Sequence, residues 1–146
     1  MMPLGLAPAP SASVTAAGLI LRRRTPRGDR WLLLRGSRNH EWGFPKGHQD
    51  PGESAACTAI RECAEECGIA LVAIDGAPLE VNYLLASGRA KRVLYYPATT
   101  ASERVALSDE HSDWAWLSSQ AVLARLPHTN VKLMFRAYLH GLEGGR

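Results

Sequence analysis

The sequence has no hydrophobic run long enough to cross a membrane as a helix. Its longest apolar stretches, residues 18–21 and 31–34, have the length of strands and are flanked by arginine, whereas a spanning helix needs roughly 18 apolar residues. The Ala- and Pro-rich residues 1–13 lack both the basic start and the unbroken apolar segment of a signal peptide. We therefore expect a disordered or loosely attached tail at 1–13, one domain at 14–146, a cytoplasmic location and no membrane partner.

Cysteine is scarce and unevenly placed. The three residues, Cys57, Cys63 and Cys67, fall within eleven positions. An odd number of clustered cysteines makes a poor disulfide framework, and their spacing matches no zinc pattern. We interpret all three as small buried apolar side chains of a protein in a reducing compartment.

Charge of one sign is in only slight excess. Seventeen basic and 14 acidic residues give a net charge of +3, which suits a protein that handles small anions and is too weak to indicate a stable nucleic-acid partner. Five arginines lie within residues 22–30, and we interpret that stretch as a solvated strand end and loop. With 46% hydrophobic residues, the chain can bury a core, which excludes general disorder and fibrous repeats.

The order of the predicted elements indicates an α/β fold. Strands come first, one helix interrupts them and helices close the chain, which predicts a mixed central sheet with helices on both faces. Turn residues, capping residues and hydrophobic period place strands at 14–24, 30–35, 80–86, 92–98 and 114–117, an extended piece at 42–44, and helices at 53–67, about 118–126 and 129 or 130–140.

The helix at residues 53–67 carries three carboxylates. At about 100° per residue, Glu62, Glu65 and Glu66 project into one arc of roughly 100°. Like charges at this spacing, close to the negative end of the helix dipole, destabilise the helix unless something compensates them. A divalent cation such as Mg²⁺, Mn²⁺ or Ca²⁺ would do so; the alternative is a solvated acidic face neutralised by Arg61. The predicted apolar stripe beside them contains Ala56, Ala59, Ile60, Cys63 and Cys67.

The surroundings of this helix resemble a known signature. Gly47 is followed after five residues by Glu53, and after seven more by Arg61-Glu62-Cys63-Ala64-Glu65-Glu66-Cys67-Gly68-Ile69. This pattern resembles the Nudix box, GX5EX7REUXEEXGU, with Cys63 where a bulky aliphatic residue is usual. The resemblance implies a Nudix α/β/α sandwich and a hydrolase that cleaves pyrophosphate bonds with Mg²⁺, or alternatively Mn²⁺.

The resemblance also implies roles for single residues. Glu62, Glu65 and Glu66 would be metal ligands, with Glu65 also a candidate for the carboxylate that activates water. Gly47 would offer its backbone carbonyl to the metal. Glu53 and Arg61 would form an ion pair that ties the loop to the helix.

Four further segments are similar to the animal and archaeal type of asymmetric diadenosine tetraphosphate hydrolase. They begin at Ala17, His40, Glu80 and Leu107, and the second reads His-Glu-Trp-Gly-Phe-Pro-Lys-Gly-His. This similarity implies a substrate with a polyphosphate chain. Such a chain needs basic groups outside the helix, and the candidates are His40, Lys46 and Lys91, with Tyr83 as a candidate for stacking on adenine. The alternatives are that His40 caps a loop, that the two lysines are solvated surface residues and that Tyr83 packs in the core. Glu110, on a loop over the site, would be the second candidate for the general base, while His111 could bind a phosphate or orient the loop.

The sequence therefore predicts asymmetric cleavage of diadenosine tetraphosphate to ATP and AMP by a monomer or homodimer. Two alternatives remain open at this point. One is a pyrophosphatase of (d)NTPs, nucleotide sugars, capped RNA ends or inositol pyrophosphates. The other is a catalytically inactive Nudix domain that senses a ligand.

Overall fold

The computed structural model describes residues 14–144, so the predicted tail lies outside the described residues. Within them the chain is of the α/β class, as predicted. Its elements are β1 (Val14–Thr25), β2 (Gly28–Gly36), β3 (Trp42–Gly43), β4 (Lys46–His48), α1 (Ala55–Cys67), β5 (Ala73–Ile74), β6 (Leu79–Leu84), β7 (Ala90–Thr99), β8 (His111–Leu117), α2 (Ser119–Arg125) and α3 (Thr129–Gly144).

All the strands of residues 14–144 belong to one mixed sheet. The main path runs β3-β2-β1-β7-β5, with β4 paired to β1, β6 to β7 and β8 to β2. The long central pair β1 and β7 is parallel, whereas the other pairings are antiparallel. The strands predicted at 14–24 and 30–35 pair as the antiparallel hairpin β1–β2, and those predicted at 80–86 and 92–98 pair as β6–β7.

Helices cover both faces of this sheet. Side chains of β1 alternate between two hydrophobic clusters, so that Ile20 points to one cluster and Leu19 to the other. Helix α1 packs on the Leu19 side, and α2 with α3 pack on the Ile20 side. The predicted α/β/α sandwich is therefore confirmed.

Helix α1 begins two residues later than the sequence predicted. Ser54 has extended backbone angles, and its hydroxyl accepts a hydrogen bond from the Cys57 amide, so it is the N-cap. Of the predicted apolar stripe, Ala59, Cys63 and Cys67 are buried; Ala56 and Ile60 are only half-buried.

Two predictions about burial were wrong in part. Cys57 is exposed on the outer side of α1, whereas Cys63 and Cys67 are buried as expected. Arg22 is not solvated but buried. Its guanidinium donates hydrogen bonds to Asp29 and Asp75, at 3.1 and 3.3 Å, and these carboxylates compensate the buried charge. Within residues 14–144, no helix has the length and apolar character that a membrane span requires.

Candidate active site

The last two turns of α1 carry the predicted carboxylates. Gly68 ends this helix in the left-handed conformation, with φ at 76°, and its N–H donates to the Ala64 carbonyl at 2.9 Å. Glycine adopts this conformation without the cost that a side chain would add. The helix therefore has a fixed end, and Glu62 and Glu66 lie one turn apart on the side that faces β4.

Glu66 is buried, with 6% of its surface exposed. Its Oε1 accepts a hydrogen bond from the Lys46 backbone N–H at 3.0 Å. Among the described residues, no arginine, lysine or histidine side chain lies within 4.0 Å of this carboxylate. Burial raises the pKa of Glu66 to about 8, with a further contribution from the charge of Glu62.

Glu62 lies against the backbone of Gly47. A methyl group on the Gly47 Cα would overlap the Glu62 side chain, so glycine is needed for the Glu62 carboxylate to lie this close to β4. Burial raises the pKa of Glu62, and the charges of Glu65 and Glu110 raise it further, although Arg61 opposes them.

The chemistry of these two side chains fits a hard divalent cation. Both are carboxylates that burial makes costly to ionise, and a cation would remove that cost. In the part of the chain that the structure describes, no three acidic, histidine or cysteine side chains already form a metal cage. Glu62 and Glu66 would therefore be the inner ligands of an ion that completes its coordination with other oxygens.

Glu65 is placed differently from its two neighbours. Its side chain is exposed and lies outside the cleft described below. Arg61 Nη1 donates to both of its carboxylate oxygens, at 3.0 and 3.3 Å. The same Nη1 lies 3.7 Å from Glu62 Oε2, so the Glu65 carboxylate is close to that of Glu62. The role of Glu65 as ligand or base stays a prediction.

The expected ion pair between Glu53 and Arg61 is confirmed. Arg61 donates to the two Glu53 oxygens at 2.7 and 2.9 Å and to the His48 carbonyl at 3.0 Å. These bonds, with others from the Thr58 hydroxyl and the Asp50 N–H, lower the pKa of Glu53 to about 2. The pair fixes the loop that carries Gly47 onto α1.

A cleft of about 980 Å³ opens beside Glu62 and Glu66. His40 is not among its lining residues: it is exposed, has a positive φ of 58°, and its carbonyl accepts from Arg35 Nε at 3.2 Å. The other predicted residues except Glu65 line the cleft together, namely Lys46, Gly47, Glu62, Glu66, Tyr83, Lys91 and Glu110.

Basic groups crowd one part of this cleft. Burial lowers the pKa of Lys91, and the charge of Lys46 lowers it further. The pKa of His48 is lowered by burial and then by both lysines. In residues 14–144, neither lysine has a carboxylate within 4.0 Å. A polyanion would relieve this mutual repulsion.

The loop that carries Glu110 is held from two directions. Ser37 donates its N–H to the Glu110 carbonyl and its hydroxyl to the Asp109 carbonyl, both at 2.9 Å. Ser108 donates its N–H to the Glu66 carbonyl at 3.1 Å. The loop therefore spans the end of β2 and the end of α1, and Glu110 lies at the edge of the cleft.

Sequence reasoning missed several residues of the cleft wall. Glu41 and His128 pair across it, with His128 Nε2 3.0 Å from Glu41 Oε1. His48, Leu84 and Leu85 also line it. The position of His48 could have been predicted, because it directly follows Gly47. Two leucines at the end of a strand carry no feature in the sequence that indicates a cleft.

The fold and the cleft together are those of a hydrolase acting on phosphorus-containing anhydrides. Residues 13–137 match the NUDIX domain family, and the chain therefore belongs to it. Hydrolases of this family generally use divalent metal ions, typically Mg²⁺.

Two relatives that are more than 30% identical to this chain, from a rat and a nematode, share one name. It is 39% identical over 117 residues to the bis(5'-nucleosyl)-tetraphosphatase [asymmetrical] of Rattus norvegicus, covering 72% of this chain and 79% of the relative. The enzyme of that name from Caenorhabditis elegans is 33% identical over 135 residues, covering 90% and 98%. A crystal structure of a C. elegans Ap4A hydrolase binary complex superimposes with a TM-score of 0.83 at 33% identity, over 90% of this chain and 98% of that one.

Proposed function

We propose that this Nudix hydrolase cleaves diadenosine tetraphosphate asymmetrically, giving ATP and AMP, with Mg²⁺ as its metal. The observation that carries the proposal is the composition of the cleft. One wall holds the buried carboxylate of Glu66 and the half-buried carboxylate of Glu62, and beside them lie Lys46 and Lys91, without acidic partners in the described chain. The name shared by the rat and nematode relatives supports the choice of substrate.

Glu62 and Glu66 would hold the metal, joined in our proposal by Glu65 and the Gly47 carbonyl. A bound divalent ion neutralises phosphate oxygens and activates water. Lys46 and Lys91 act as point charges on the phosphate chain. They position the scissile bond and compensate the negative charge of the phosphate oxygens around it. Tyr83 is half-buried and lines the cleft, where its ring supports stacking with adenine.

Of the two candidates for the general base, Glu110 has the better position. It lines the cleft on a loop held by hydrogen bonds, whereas the Glu65 carboxylate is occupied by Arg61 outside it. We therefore propose that Glu110 accepts the proton of the attacking water.

A substrate panel at fixed Mg²⁺ tests the choice of substrate. Diadenosine tetraphosphate should give the highest kcat/KM, with equal amounts of ATP and AMP by chromatography. (d)NTPs, nucleotide sugars, capped RNA and an inositol pyrophosphate form the comparison set. A much higher kcat/KM for any of these would contradict the proposal.

Replacing Glu62 tests whether the protein is an enzyme or, alternatively, a catalytically inactive domain that senses a ligand. Glu62→Gln should lower kcat by roughly 10²–10³-fold, because a ligand for the charge-stabilising ion is lost. The circular dichroism spectrum should not change. Glu80→Gln, on the exposed side of β6, is the matched control and should keep its activity. A wild-type protein that binds nucleotide without any turnover would be a sensor.

A further inference from the structure

Two leucines line the cleft without belonging to the hydrophobic core. Leu84 and Leu85 are both part of the cleft wall, and neither packs into the two core clusters. Leu84 is 79% exposed. Leu85 is half-buried. A side chain as exposed as Leu84 adds little to folding, because most of its apolar surface is left in water. The exposed surface of both leucines is therefore available to a ligand.

The strand register places these leucines at a distance from the carboxylates. Gly47 pairs with Ala17, which pairs with Leu94 of β7. Leu84 pairs with Ala90, four residues earlier on β7. Four residues of strand are about 13 Å, and β4 and β6 are also three strand spacings of about 4.8 Å apart across the sheet, so the two positions are roughly 20 Å apart. A chain of several phosphates together with the sugar at its end extends across most of this distance, so that the group attached to the sugar lies toward the leucines.

The neighbours of the two leucines indicate what that group is. Tyr83 precedes them and pairs with Lys91 on the adjacent strand. Across the cleft, Pro127 from the connection between α2 and α3 is exposed and lines the same space. The connection is held near β6 by a hydrogen bond of 3.4 Å from Asn130 Nδ2 to the Asn82 carbonyl. An apolar surface beside a phosphate-binding lysine suits a flat ring attached to phosphates.

We propose that Leu84 and Leu85 form a leucine ledge that packs against a nucleobase of the substrate and contributes to specificity for nucleotides over phosphate chains without a base. This inference rests on the proposed function for the identity of the base, adenine. The ledge contacts the base but none of the reacting atoms, so it acts on substrate affinity and leaves the rate of the chemical step unchanged.

The test compares the double variant Leu84→Ala/Leu85→Ala with Leu71→Ala. Leu71 is 83% exposed and lies outside the cleft, so it is a matched control. The double variant should raise KM for diadenosine tetraphosphate about tenfold through lost apolar contact, with kcat within about twofold of wild type. Leu71→Ala should leave both constants unchanged, and neither variant should lower Tm.

A binding measurement separates base contact from phosphate contact. Calorimetry in metal-free buffer should show ATP binding about tenfold weaker in the double variant, with the affinity for inorganic tripolyphosphate unchanged. Unchanged KM and ATP affinity would overturn the ledge, and so would an equal loss of tripolyphosphate affinity, which would indicate a displaced Lys91. If ATP binding weakens as expected but wild type does not cleave diadenosine tetraphosphate, the ledge stands and the proposed substrate fails.

Discussion

At the scale of single residues, Glu66 is the group whose surroundings matter most. Its carboxyl is buried beside another acid, and the hydrogen bond from the Lys46 amide offsets only part of the cost of its charge. The protein thus carries a side chain whose ionised form is unfavourable until a cation neutralises it. This is the arrangement expected where function, rather than stability, selects a residue.

The raised pKa of Glu66 predicts how stability depends on pH. In the unfolded chain this group ionises near its ordinary value of 4.5, and in the folded protein only near 8. Between these values the folded state binds the extra proton, so the unfolding free energy of the metal-free protein falls as pH rises through this window. Glu66→Gln keeps the acceptor for the Lys46 amide and removes the ionisation. It should be more stable than wild type at pH 8 by a few kcal/mol, because each pH unit between the two pKa values contributes about 1.4 kcal/mol, and similar to wild type at pH 5.

Urea unfolding with EDTA at pH 5, 6, 7 and 8 measures this effect. Glu143→Gln, an exposed position of α3, is the control and should follow wild type. Parallel curves for wild type and Glu66→Gln would contradict the assignment. Adding Mg²⁺ should raise the Tm of wild type more at pH 8 than at pH 6, because the ion binds the ionised carboxylate, and should do little for Glu66→Gln.

At the scale of elements, the site depends on how α1 is joined to the loop before it. Arg61 binds Glu53 through two hydrogen bonds and the His48 carbonyl through a third. Only a guanidinium presents donors in a planar fork of this kind. The position of Gly47 relative to Glu62 is therefore set by a connection outside the cleft.

Breaking this connection should affect both stability and catalysis. Because the pKa of Glu53 is lowered to about 2, its stabilising effect is present above the ordinary value of 4.5 and is lost as pH falls from there toward 2. Glu53→Gln should therefore lower Tm at pH 7 but hardly at pH 2.5, and should reduce kcat about tenfold by loosening the loop. Glu80→Gln breaks an exposed pair with Arg92 at 3.8 Å and should change neither quantity. Thermal unfolding at pH 7 and pH 2.5, together with kcat at pH 7, tests this prediction. An equal loss of Tm at both pH values would contradict the ion pair between Glu53 and Arg61.

At the scale of the whole molecule, the sheet has helices packed on both faces, and the two faces contribute different residues to the protein. The α1 face carries the carboxylates. The opposite face contains an aromatic cluster in which Phe135 lies 5.6 Å from Trp31 and from Phe44, and 5.5 Å from Tyr138, between ring centroids. Phe44 belongs to the segment that leads into Lys46 and also lines the cleft. The packing of α3 thus supports the floor of the site.

Removing the ring at the centre of this cluster should destabilise the protein strongly. Phe135 is fully buried, and Phe135→Ala should lower the unfolding free energy by about 3–5 kcal/mol because it leaves a cavity. Leu133 lies on the same helix but is 57% exposed, so Leu133→Ala should change stability by less than about 0.5 kcal/mol. Urea unfolding of both variants tests the prediction. Equal effects would mean that α3 is not packed through Phe135.

Much of the fold followed from local signals. The periodicity of β1 and α1, the end of α1 at Gly68 and the turn at Gly88 act between near neighbours in the chain, which is why these elements were predicted close to their observed positions. The two-residue strands β3 and β5 and the short β4 were missed as pairing strands, because their hydrogen bonds depend on partners far away in the chain.

The sequence by itself determined that three glutamates share an arc of α1, and that Lys46 before them and Tyr83 and Lys91 after them stand at positions that resemble those of a phosphate-handling enzyme. Only the tertiary structure decided which of them meet. The approach of β4 to α1 buries Glu66 and sets Glu62 on Gly47, whereas Arg61 holds Glu65 outside the cleft. In the turn after Arg35, Asn39 and Glu41 line the cleft but the exposed His40 between them does not, and the β6–β7 register brings Leu84 to the cleft wall. The spacing of residues along a helix determines the direction in which their side chains point. The distances between those side chains and other groups, and their burial, depend on which strand packs against the helix.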